Sequence, residues 1–374
     1  MDSIIKVNPI KLTSIIPLHI IKKIRKDKQD ELVCSLWYSM NLKYSIIICT
    51  KNRAKDLDTT LKSVFDQFHL PDSVIVVDDS HNFECSIILK KYESLSSVNC
   101  IYVHSYPPNS GLPAARNCGI KKIPENTDIV LFLDDDVTLE RNYLQSIGEI
   151  FNQYPGISGV SGSTKNGYYT KSGYIKIILC MIGWIIPTLV QATFYYPTVS
   201  RTADAMSPLF LKKNKDLVHA QWLSGCNMAY RSKIFWDGNI FDEQLVGYSL
   251  GEDMIFSHLL YKKGHQFAFS YKAQLTHRIS QENRIPSNRF ILLKIGYRLY
   301  AITLFSGNGI RGSLYYSIFV IRLILSSVIL SLRYKENIRY AKQTLNAFKR
   351  VRLFERDIQN KKIQKFNEYY LKGE

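Results

Sequence analysis

The amino-acid sequence predicts an α/β fold in which a mostly parallel, doubly wound sheet is flanked by helices. Runs of β-branched and other apolar residues end abruptly in acid, first at Val74–Asp79 and then at Ile129–Asp136. Uninterrupted apolar runs of this length are typical of strands that are buried on both faces of a parallel sheet. Segments with helical spacing lie between these runs, so strands and helices alternate along the chain.

The first βαβ unit is predicted to begin at Tyr44. Tyr44–Cys49 has the composition of a buried strand, and the polar stretch Thr50–Arg53 follows it as a loop. Apolar residues then recur at helical spacing within Asp58–Phe68, and Pro71 ends this helix. The second strand is expected at Val74–Val77.

The same alternation continues through the next part of the chain. A helix is predicted at Cys85–Tyr92 and a third strand at Ile101–Val103. A turn rich in Pro and Gly at 107–111 precedes a helix that opens at Leu112, and the acid-ending strand follows it. A later strand is expected at Phe267–Tyr271.

The chain of 374 residues is expected to have three parts. These are a basic extension at 1–43, the α/β domain at 44–290, and a basic region of amphipathic helices at 291–374. Residues 1–43 hold 8 basic and 4 acidic residues, and residues 311–374 hold 14 and 5. The ends therefore supply +13 of the formal net charge of +17.

Basic ends attract anionic partners. Nucleic acid is excluded as the predicted partner because the α/β part lacks the excess charge and no nucleic-acid-binding motif is present. The basic residues alternate with Ile, Leu, Tyr and Phe, which favours an anionic membrane surface. The sequence therefore predicts a peripheral or monotopic protein at the cytoplasmic face of a membrane.

Cysteine usage agrees with a cytoplasmic location. The seven cysteines are scattered, odd in number and without a Cys-x-x-Cys pair, which argues against a disulfide framework or a zinc site. Lys6, Pro9, Lys11 and Pro17 interrupt any apolar stretch near the start, so no secretory signal is expected.

Two apolar segments raise the question of a membrane span. Ile177–Tyr196, within an apolar insert at 170–200, has no formal charge. A single crossing there would separate the acids before it from those after it, so an interfacial or re-entrant helix pair and a buried core helix both stay open. Leu314–Leu332 has Arg322 at its middle and is predicted to lie along the membrane surface.

The acids at the strand ends are the main candidates for chemistry. In open α/β sheets, ligands bind beyond the carboxyl ends of the strands, where Asp78, Asp79 and the triplet Asp134, Asp135 and Asp136 are expected. Adjacent carboxylates repel one another, so a site that keeps them charged usually holds a cation. Oxygen ligands favour Mg²⁺ or Mn²⁺ bridged to phosphate. Arg116 lies in the first turns of the helix after Gly111, where it could grip a diphosphate.

Six motifs occur in order between Tyr44 and Arg278. They are the first strand with Thr50 and Asn52, the Val-Asp-Asp-Ser turn at 77–80, a Gly-x-x-x-Ala-Arg-Asn-x-Gly helix start at 111–119, the Asp-x-Asp strand end at 134–136, a Trp-Leu-Ser-Gly segment at 222–225, and the pair Glu252 and Asp253. In this order the chain resembles the family 2 glycosyltransferases with the GT-A fold, in a non-processive, membrane-associated form. Each motif is weak alone, and the ordered set is specific.

The resemblance implies roles for these residues. The nucleotide sugar would contact Thr50, Asn52, Arg53, Asp78, Asp79, Arg116, Asp134 and Asp135. Asp134 and Asp136 would hold Mg²⁺ or Mn²⁺, with His277 expected near the metal or diphosphate. Asp253 would be the general base and Glu252 would orient the site. Trp222 and Gly225 would lie on the acceptor side.

The predicted function is the inverting, metal-dependent transfer of one sugar from a nucleotide sugar, a UDP-sugar by preference, to a membrane-bound or lipid-linked glycan acceptor in surface polysaccharide or glycoconjugate synthesis. Processive members carry a Gln-x-x-Arg-Trp motif, whereas Ile285 stands in the Trp position here. A GT-A-like nucleotidyltransferase and a non-catalytic membrane-surface binding protein are the alternatives. The first would not require Glu252 and Asp253, and the intact acids speak against the second.

Overall fold

The structure is a computed structural model that describes residues 42–80, 82–105, 111–165, 197–206, 216–280, 282, 285–307, 309–333 and 337–372. Its strands are β1 (Tyr44–Thr50), β2 (Ser73–Asp78), β3 (Asn99–His104), β4 (Ile129–Asp134), β5 (Val137–Leu139), β6 (Ile157–Thr164), β7 (Thr198–Val199), β8 (Ala205–Met206), β9 (Leu217–Ala220), β10 (Asn227–Arg231) and β11 (Gln266–His277). Its helices are α1 (Ala54–Phe65), α2 (Glu84–Glu93), α3 (Leu112–Ile120), α4 (Tyr143–Gln153), α5 (Lys233–Trp236), α6 (Glu252–Lys262), α7 (Ser287–Ser306), α8 (Ile310–Arg333), α9 (Asn337–Arg352), α10 (Glu355–Gln359) and α11 (Gln364–Lys372).

One sheet organises the α/β part of the described chain. Its strands follow the order β3-β2-β1-β4-β10-β6-β11-β5, with β9 also paired to β11. The block β3-β2-β1-β4 is parallel, β10 runs antiparallel between β4 and β6, and β6 pairs parallel with β11. The predicted α/β class, with a central, mostly parallel sheet flanked by helices, is confirmed.

The apolar runs are continuous because both faces of the sheet are covered. Ile46 and Ile48 of β1 face one apolar cluster, which includes Leu57 of α1. Ile47 faces a second cluster on the opposite side, which includes Ala115 of α3. Successive side chains of a strand point to opposite faces, so a strand between two helical layers must be apolar at every position.

Two element boundaries differ from the prediction. Helix α1 begins four residues before Asp58 because the buried residue Leu57 already belongs to its apolar face, and Phe68 lies beyond the helix and is exposed. Strand β11 continues beyond the predicted range to His277. A register shift between Ser270 and Gln274 interrupts its pairing with β6, and a simple apolar pattern does not reveal such an irregularity.

A third apolar cluster joins the C-terminal helices to the rest of the fold. Helices α7 to α11 pack together with Trp222, Leu245 and Met254, the last of which lies in α6. The predicted boundary at residue 291 falls within α7, and the predicted segment Leu314–Leu332 falls within α8. Among the described residues, no helix combines the length and apolar character needed to cross a bilayer.

Several sequence predictions fall outside the described residues. These are nearly all of the basic extension at 1–43, most of the apolar insert at 170–200, and most of the turn at 107–111. The arrangement of α8 along a membrane stays a prediction.

Candidate functional site

The acidic triplet lies where β4 ends and the chain turns into β5. Asp134 is the last residue of β4, and its side chain keeps 32% of its surface exposed. Asp135 and Asp136 are buried. The register of the sheet places Asp134 opposite Cys49 of the neighbouring β1, next to the loop that starts after Thr50. The carboxyl ends of parallel strands thus bring the first loop and the acids to one edge of the sheet.

Asp135 is held by the loop that follows β1. Its carboxylate accepts a hydrogen bond from Thr50 Oγ1 at 2.8 Å and lies 3.2 Å from Arg53 Nη1. Burial raises the pKa of Asp135 to about 7, although Arg53 and Thr50 oppose this rise. Because both partners come from the predicted nucleotide loop, that loop and the triplet form one unit.

Asp136 and His277 form a pair between β4 and the end of β11. His277 Nε2 lies 3.0 Å from Asp136 Oδ1, and the backbone N–H of Ser280 donates to Asp136 Oδ2 at 2.9 Å. Burial alone would raise the pKa of Asp136, but the hydrogen bond and charge of His277 lower it to about 2. Burial alone would lower the pKa of His277, but Asp136 and Cys226 raise it to about 11. The two groups therefore stabilise each other's charged forms.

Asp134, Asp136 and His277 form a candidate metal site. One possible ligand atom from each lies within 4.8 Å of the other two. Burial and the neighbouring carboxylates raise the pKa of Asp134 against the opposing effect of Arg116. Two carboxylates and one neutral imidazole are a donor set that fits a divalent cation, since carboxylates suit Mg²⁺ and Mn²⁺ and imidazole suits transition metals. A cation that binds here must displace the proton that Asp136 otherwise stabilises on His277. The residues present fit the predicted group.

Arg278 fixes this arrangement, although no motif in the sequence predicts its role. Its guanidinium donates five hydrogen bonds that join α1 to the β4–β5 turn; the acceptors are the carbonyl oxygens of Asp56, Asp135 and Val137 and the hydroxyl oxygens of Thr60 and Thr138. Its backbone N–H donates to the carbonyl of Asp136 at 2.9 Å. The only signal in the sequence is that a cation directly follows His277.

The predicted nucleotide-binding acids lie in different environments. Asp78 is fully buried, and its carboxylate accepts hydrogen bonds from Ser80 and, at 2.9 Å, from Tyr102. Asp79 lies nearer the surface and forms an ion pair with Lys51 at 2.8 Å. Asn52 adopts a positive φ of 53°, and its backbone N–H donates to Ser80 Oγ. Asp78 thus shapes the turn, and Asp79 offers the carboxylate nearer to solvent.

Arg116 connects the metal cluster to the downstream acids. Its side chain is only 2% exposed, forms an ion pair with Glu252, and lies 3.5 Å from Asp134 Oδ1. It also donates to the carbonyl of Gly225 at 3.1 Å. Burial would lower the pKa of Arg116, but the carboxylates of Glu252 and Asp134 outweigh burial and raise it. The contact of Arg116 with a diphosphate stays a prediction.

Glu252 and Asp253 open α6 but are placed differently. Glu252 is buried beside Arg116, and burial raises its pKa to about 8 despite that cation. Asp253 is partly exposed, and its Oδ2 accepts the backbone N–H of Gly225 at 2.7 Å. Gly251 precedes the pair with a left-handed φ of 86°, which a residue with a side chain adopts only with strain. Asp253 is thus the member of the pair with access to an incoming substrate.

Gly225 lies where an added side chain would crowd Arg116 and Asp253. A Cβ atom there would be 3.0 Å from Arg116 Nη2 and 3.2 Å from both Cβ and Oδ2 of Asp253. Trp222, by contrast, is buried among the C-terminal helices. The structure therefore brings Gly225 together with Asp253 and the metal cluster, whereas the acceptor contact of Trp222 stays a prediction.

Comparisons with known proteins identify the family. The profile of the family described as "Glycosyl transferase family 2" matches residues 45–238, just over half of the chain. The chondroitin synthase of Escherichia coli is 28% identical over 231 residues, which cover 60% of this chain and 33% of that protein. The chain therefore spans about a third of the length of this relative.

Two solved structures share the fold. S. aureus TarS 1–349 in complex with UDP-GlcNAc has a TM-score of 0.52 at 17% identity, covering 89% of this chain and 93% of that chain. The mannosyltransferase PcManGT from Pyrobaculum calidifontis, in complex with GDP-Man and Mn²⁺, has a TM-score of 0.52 at 10% identity, covering 86% and 94%. The chain belongs to glycosyl transferase family 2.

Proposed function

We propose that this enzyme moves a single sugar, with inversion and with the help of Mg²⁺ or Mn²⁺, from a UDP-sugar to a membrane-bound or lipid-linked glycan acceptor in surface polysaccharide or glycoconjugate synthesis. The observation that carries the proposal is the cluster of Asp134, Asp136 and His277, whose candidate ligand atoms lie within 4.8 Å of one another. Arg116 connects this cluster to the acids Glu252 and Asp253. Donor activation and acceptor deprotonation would then take place at one edge of the sheet.

Asp134, Asp136 and His277 would hold the cation. When bound, Mg²⁺ or Mn²⁺ neutralises the charge that develops on the departing nucleoside diphosphate. The imidazole in the set favours Mn²⁺ over Mg²⁺, and Mn²⁺ is the ion in the PcManGT structure. Arg278 donates hydrogen bonds to the backbone carbonyls of Asp135 and Val137. These bonds would keep the end of β4, which carries Asp134, at a fixed distance from the end of β11, which carries His277.

The loop after β1 and the turn after β2 would bind the nucleotide. Asp79 would accept hydrogen bonds from the base, and Asn52 and Thr50 would line the same end of the pocket. Asp78 would act by holding the turn through Ser80 and Tyr102. Arg53 orients Asp135, which would contact the donor sugar. The UDP-GlcNAc in the similar TarS structure supports a UDP-sugar as donor.

Asp253 would take the proton of the acceptor hydroxyl. As that proton moves to the carboxylate, the acceptor oxygen forms a bond to the anomeric carbon while the bond from this carbon to the diphosphate oxygen breaks on the opposite face. The result is inversion. The N–H of Gly225 fixes one oxygen of Asp253 at 2.7 Å, and Glu252 fixes Arg116 beneath the same loop.

The basic charge of the C-terminal region supports a membrane-bound acceptor. Residues 311–374 carry a net charge of +9, which attracts an anionic surface. The proposed location is the cytoplasmic face, with peripheral or monotopic attachment. Ile285 in place of the Trp of the processive motif supports the addition of one sugar per acceptor.

The test is a panel of UDP-, GDP- and dTDP-sugars, scored for release of the nucleoside diphosphate by metal-stripped enzyme with and without added Mn²⁺ or Mg²⁺. Asp136→Ala should abolish the metal-dependent release and weaken donor binding, because it removes a ligand at the end of β4. Asp66→Ala is the matched control, since Asp66 is an exposed acid outside the site. Full turnover in EDTA would refute the metal assignment, and retention of the anomeric configuration in the product would refute the role of Asp253.

A further inference from the structure

Helix α8 carries apolar side chains on two opposite sides. One side faces the neighbouring helices and is buried; its members are Tyr316, Phe319, Val320 and Leu323. The other side is exposed; its members are Ile310, Leu314, Ile321 and Leu325, which are 90%, 54%, 56% and 54% exposed. Amphipathic surface helices normally bury their single apolar side and expose a polar one, so the exposed aliphatic side of α8 needs an explanation.

The exposed aliphatic residues form a continuous stripe. At 3.6 residues per turn, positions 310, 314, 321 and 325 fall within an arc of about 60° on the helix surface, and they extend over about 22 Å along its axis. Ile318, which is half-buried, adjoins the same arc. We call these four exposed residues the α8 stripe.

The charges beside the α8 stripe favour one kind of partner over another. Arg311 and Arg322 lie along one edge of the stripe, and both are exposed. Arg322 also forms an ion pair with Asp204, which explains how a charge is accommodated in the middle of an apolar segment. A second copy of the chain would bring the same basic region, net +9 over residues 311–374, against this face and be repelled. An anionic lipid surface offers both apolar and negatively charged partners.

We propose that the α8 stripe is the membrane-docking surface of the protein, with α8 lying parallel to an anionic bilayer, its aliphatic residues in the acyl-chain boundary and Arg311 at the headgroups. This inference deepens the proposed function, because it gives the residues by which the enzyme reaches a membrane-bound acceptor. It does not depend on the identity of the donor or of the acceptor.

The same helical layer also supports the proposed catalytic base. Tyr297 of α7 accepts a hydrogen bond from the N–H of Val246, and its one hydroxyl hydrogen has two acceptors at 3.1 Å, the carbonyl oxygen of Val246 and Asn367 Oδ1 of α11. Asn367 in turn donates to the carbonyl of Gln244 at 2.6 Å. The loop at 242–251 leads directly into Glu252 and Asp253. Removing the C-terminal helices would disturb this loop, so the docking surface must be tested by substitutions on the exposed side of α8.

The experiment uses the full chain and co-sedimentation with vesicles of phosphatidylcholine, alone or mixed with phosphatidylglycerol. Leu314→Gln combined with Leu325→Gln should lower the partition coefficient onto mixed vesicles by on the order of tenfold or more, because two leucines lose their contact with the acyl chains. Ile87→Gln combined with Leu95→Gln is the matched control. These two side chains are 70% and 73% exposed but belong to the α/β part.

Arg311→Gln tests the electrostatic part. It should weaken binding to mixed vesicles about fivefold, since one basic residue near an anionic surface contributes about 1 kcal/mol. Binding to pure phosphatidylcholine should hardly change. Equal binding of the wild type to both kinds of vesicle would overturn the assignment of an anionic partner.

Two further outcomes would overturn the docking surface itself. One is a double leucine variant that binds mixed vesicles like the wild type. The other is a wild-type dimer in gel filtration that the same variant converts to a monomer, which would assign the stripe to a second copy. Release of nucleoside diphosphate without vesicles, where water takes the place of the acceptor, reports on the donor site separately. A variant that loses vesicle binding but keeps this release supports the inference even if the acceptor proves to be soluble.

Discussion

A single methyl group added at Gly225 should separate catalysis from stability. Gly225 donates its N–H to Asp253 Oδ2 at 2.7 Å and accepts a hydrogen bond from Arg116 at its carbonyl oxygen. The Cβ atom of Gly225→Ala would lie 3.0 Å from Arg116 Nη2 and 3.2 Å from Asp253 Oδ2. Non-bonded heavy atoms of this kind prefer about 3.5 Å, so both side chains must give way by a few tenths of an ångström, Asp253 by about 0.3 Å.

The expected loss follows from that displacement. Misplacing a reacting group by about 1 Å can reduce the rate on the order of 100-fold, so a shift of Asp253 by about 0.3 Å should lower kcat about fourfold. Overpacking of this kind costs about 1 kcal/mol of folding free energy, partly offset by the lower entropy of the unfolded chain with Ala in place of Gly. Donor affinity should fall less than kcat, because the three atoms nearest to the new methyl group belong to Arg116 and Asp253 and none belongs to a proposed metal ligand.

The assay measures kcat, the donor dissociation constant and the free energy of unfolding for Gly225→Ala and for Gly156→Ala. Gly156 is the control because the nearest atom to its added Cβ is 3.8 Å away, which is an ordinary contact. A Gly225→Ala enzyme with the kcat of the wild type would refute the reasoning that Gly225 positions Asp253. A parallel fall in donor affinity would instead assign Gly225 to the donor pocket.

Three further predictions follow from the same geometry. Asp253→Asn should lower kcat on the order of 100-fold or more with donor affinity unchanged, because the amide cannot accept the proton; near wild-type turnover would remove Asp253 from the mechanism. Arg278→Lys should lower Mn²⁺ affinity on the order of tenfold in a titration, since an ammonium group cannot replace the planar fork that bridges five acceptors; unchanged affinity would contradict its positioning role. Burial would raise the pKa of Asp204, but Arg298 and Arg322 lower it to about 2. The ionised carboxylate of Asp204 therefore contributes about 2 kcal/mol to the free energy of unfolding. This contribution is present above the unfolded-state pKa of about 4 and is lost as pH falls towards about 2. Asp204→Asn should therefore destabilise the protein in urea titrations at about neutral pH but not at about pH 2, and an equal loss at both would refute the ion-pair origin.

Much of the fold and part of the site could be predicted because both depend on local sequence. Val74–Asp79 and Ile129–Asp136 show strand composition and the acid that follows it. Parallel strands then bring those acids to one edge without further information. The strand pattern does not show which of Asp78 and Asp79 faces the ligand. Only the hydrogen bonds from Ser80 and Tyr102 show that Asp78 is enclosed.

The remaining features depend on contacts between distant parts of the chain. Arg116 has the composition of a diphosphate-binding residue, yet its burial follows from Glu252, which lies 136 positions later in the sequence. Three of the five acceptors of Arg278 are backbone carbonyl oxygens, which leave no mark on residue identity. Trp222 is buried because α7 to α11 cover it, and their position over α6 has no local signal.

The C-terminal helices hold the loop that leads into the proposed active site, and they also carry the α8 stripe. Gly111, at the start of α3, lies so close to the loop at 242–251 that an added Cβ would be 2.9 Å from Gly247 N. On its other side the same loop is held by Tyr297 and Asn367. The loop before Asp253 is therefore fixed between the helix that carries Arg116 and the layer that carries the α8 stripe. If α8 lies on a membrane, the packing of α7 against α8 fixes the distance between the bilayer and Asp253, so a membrane-bound acceptor would need a reach that matches that distance.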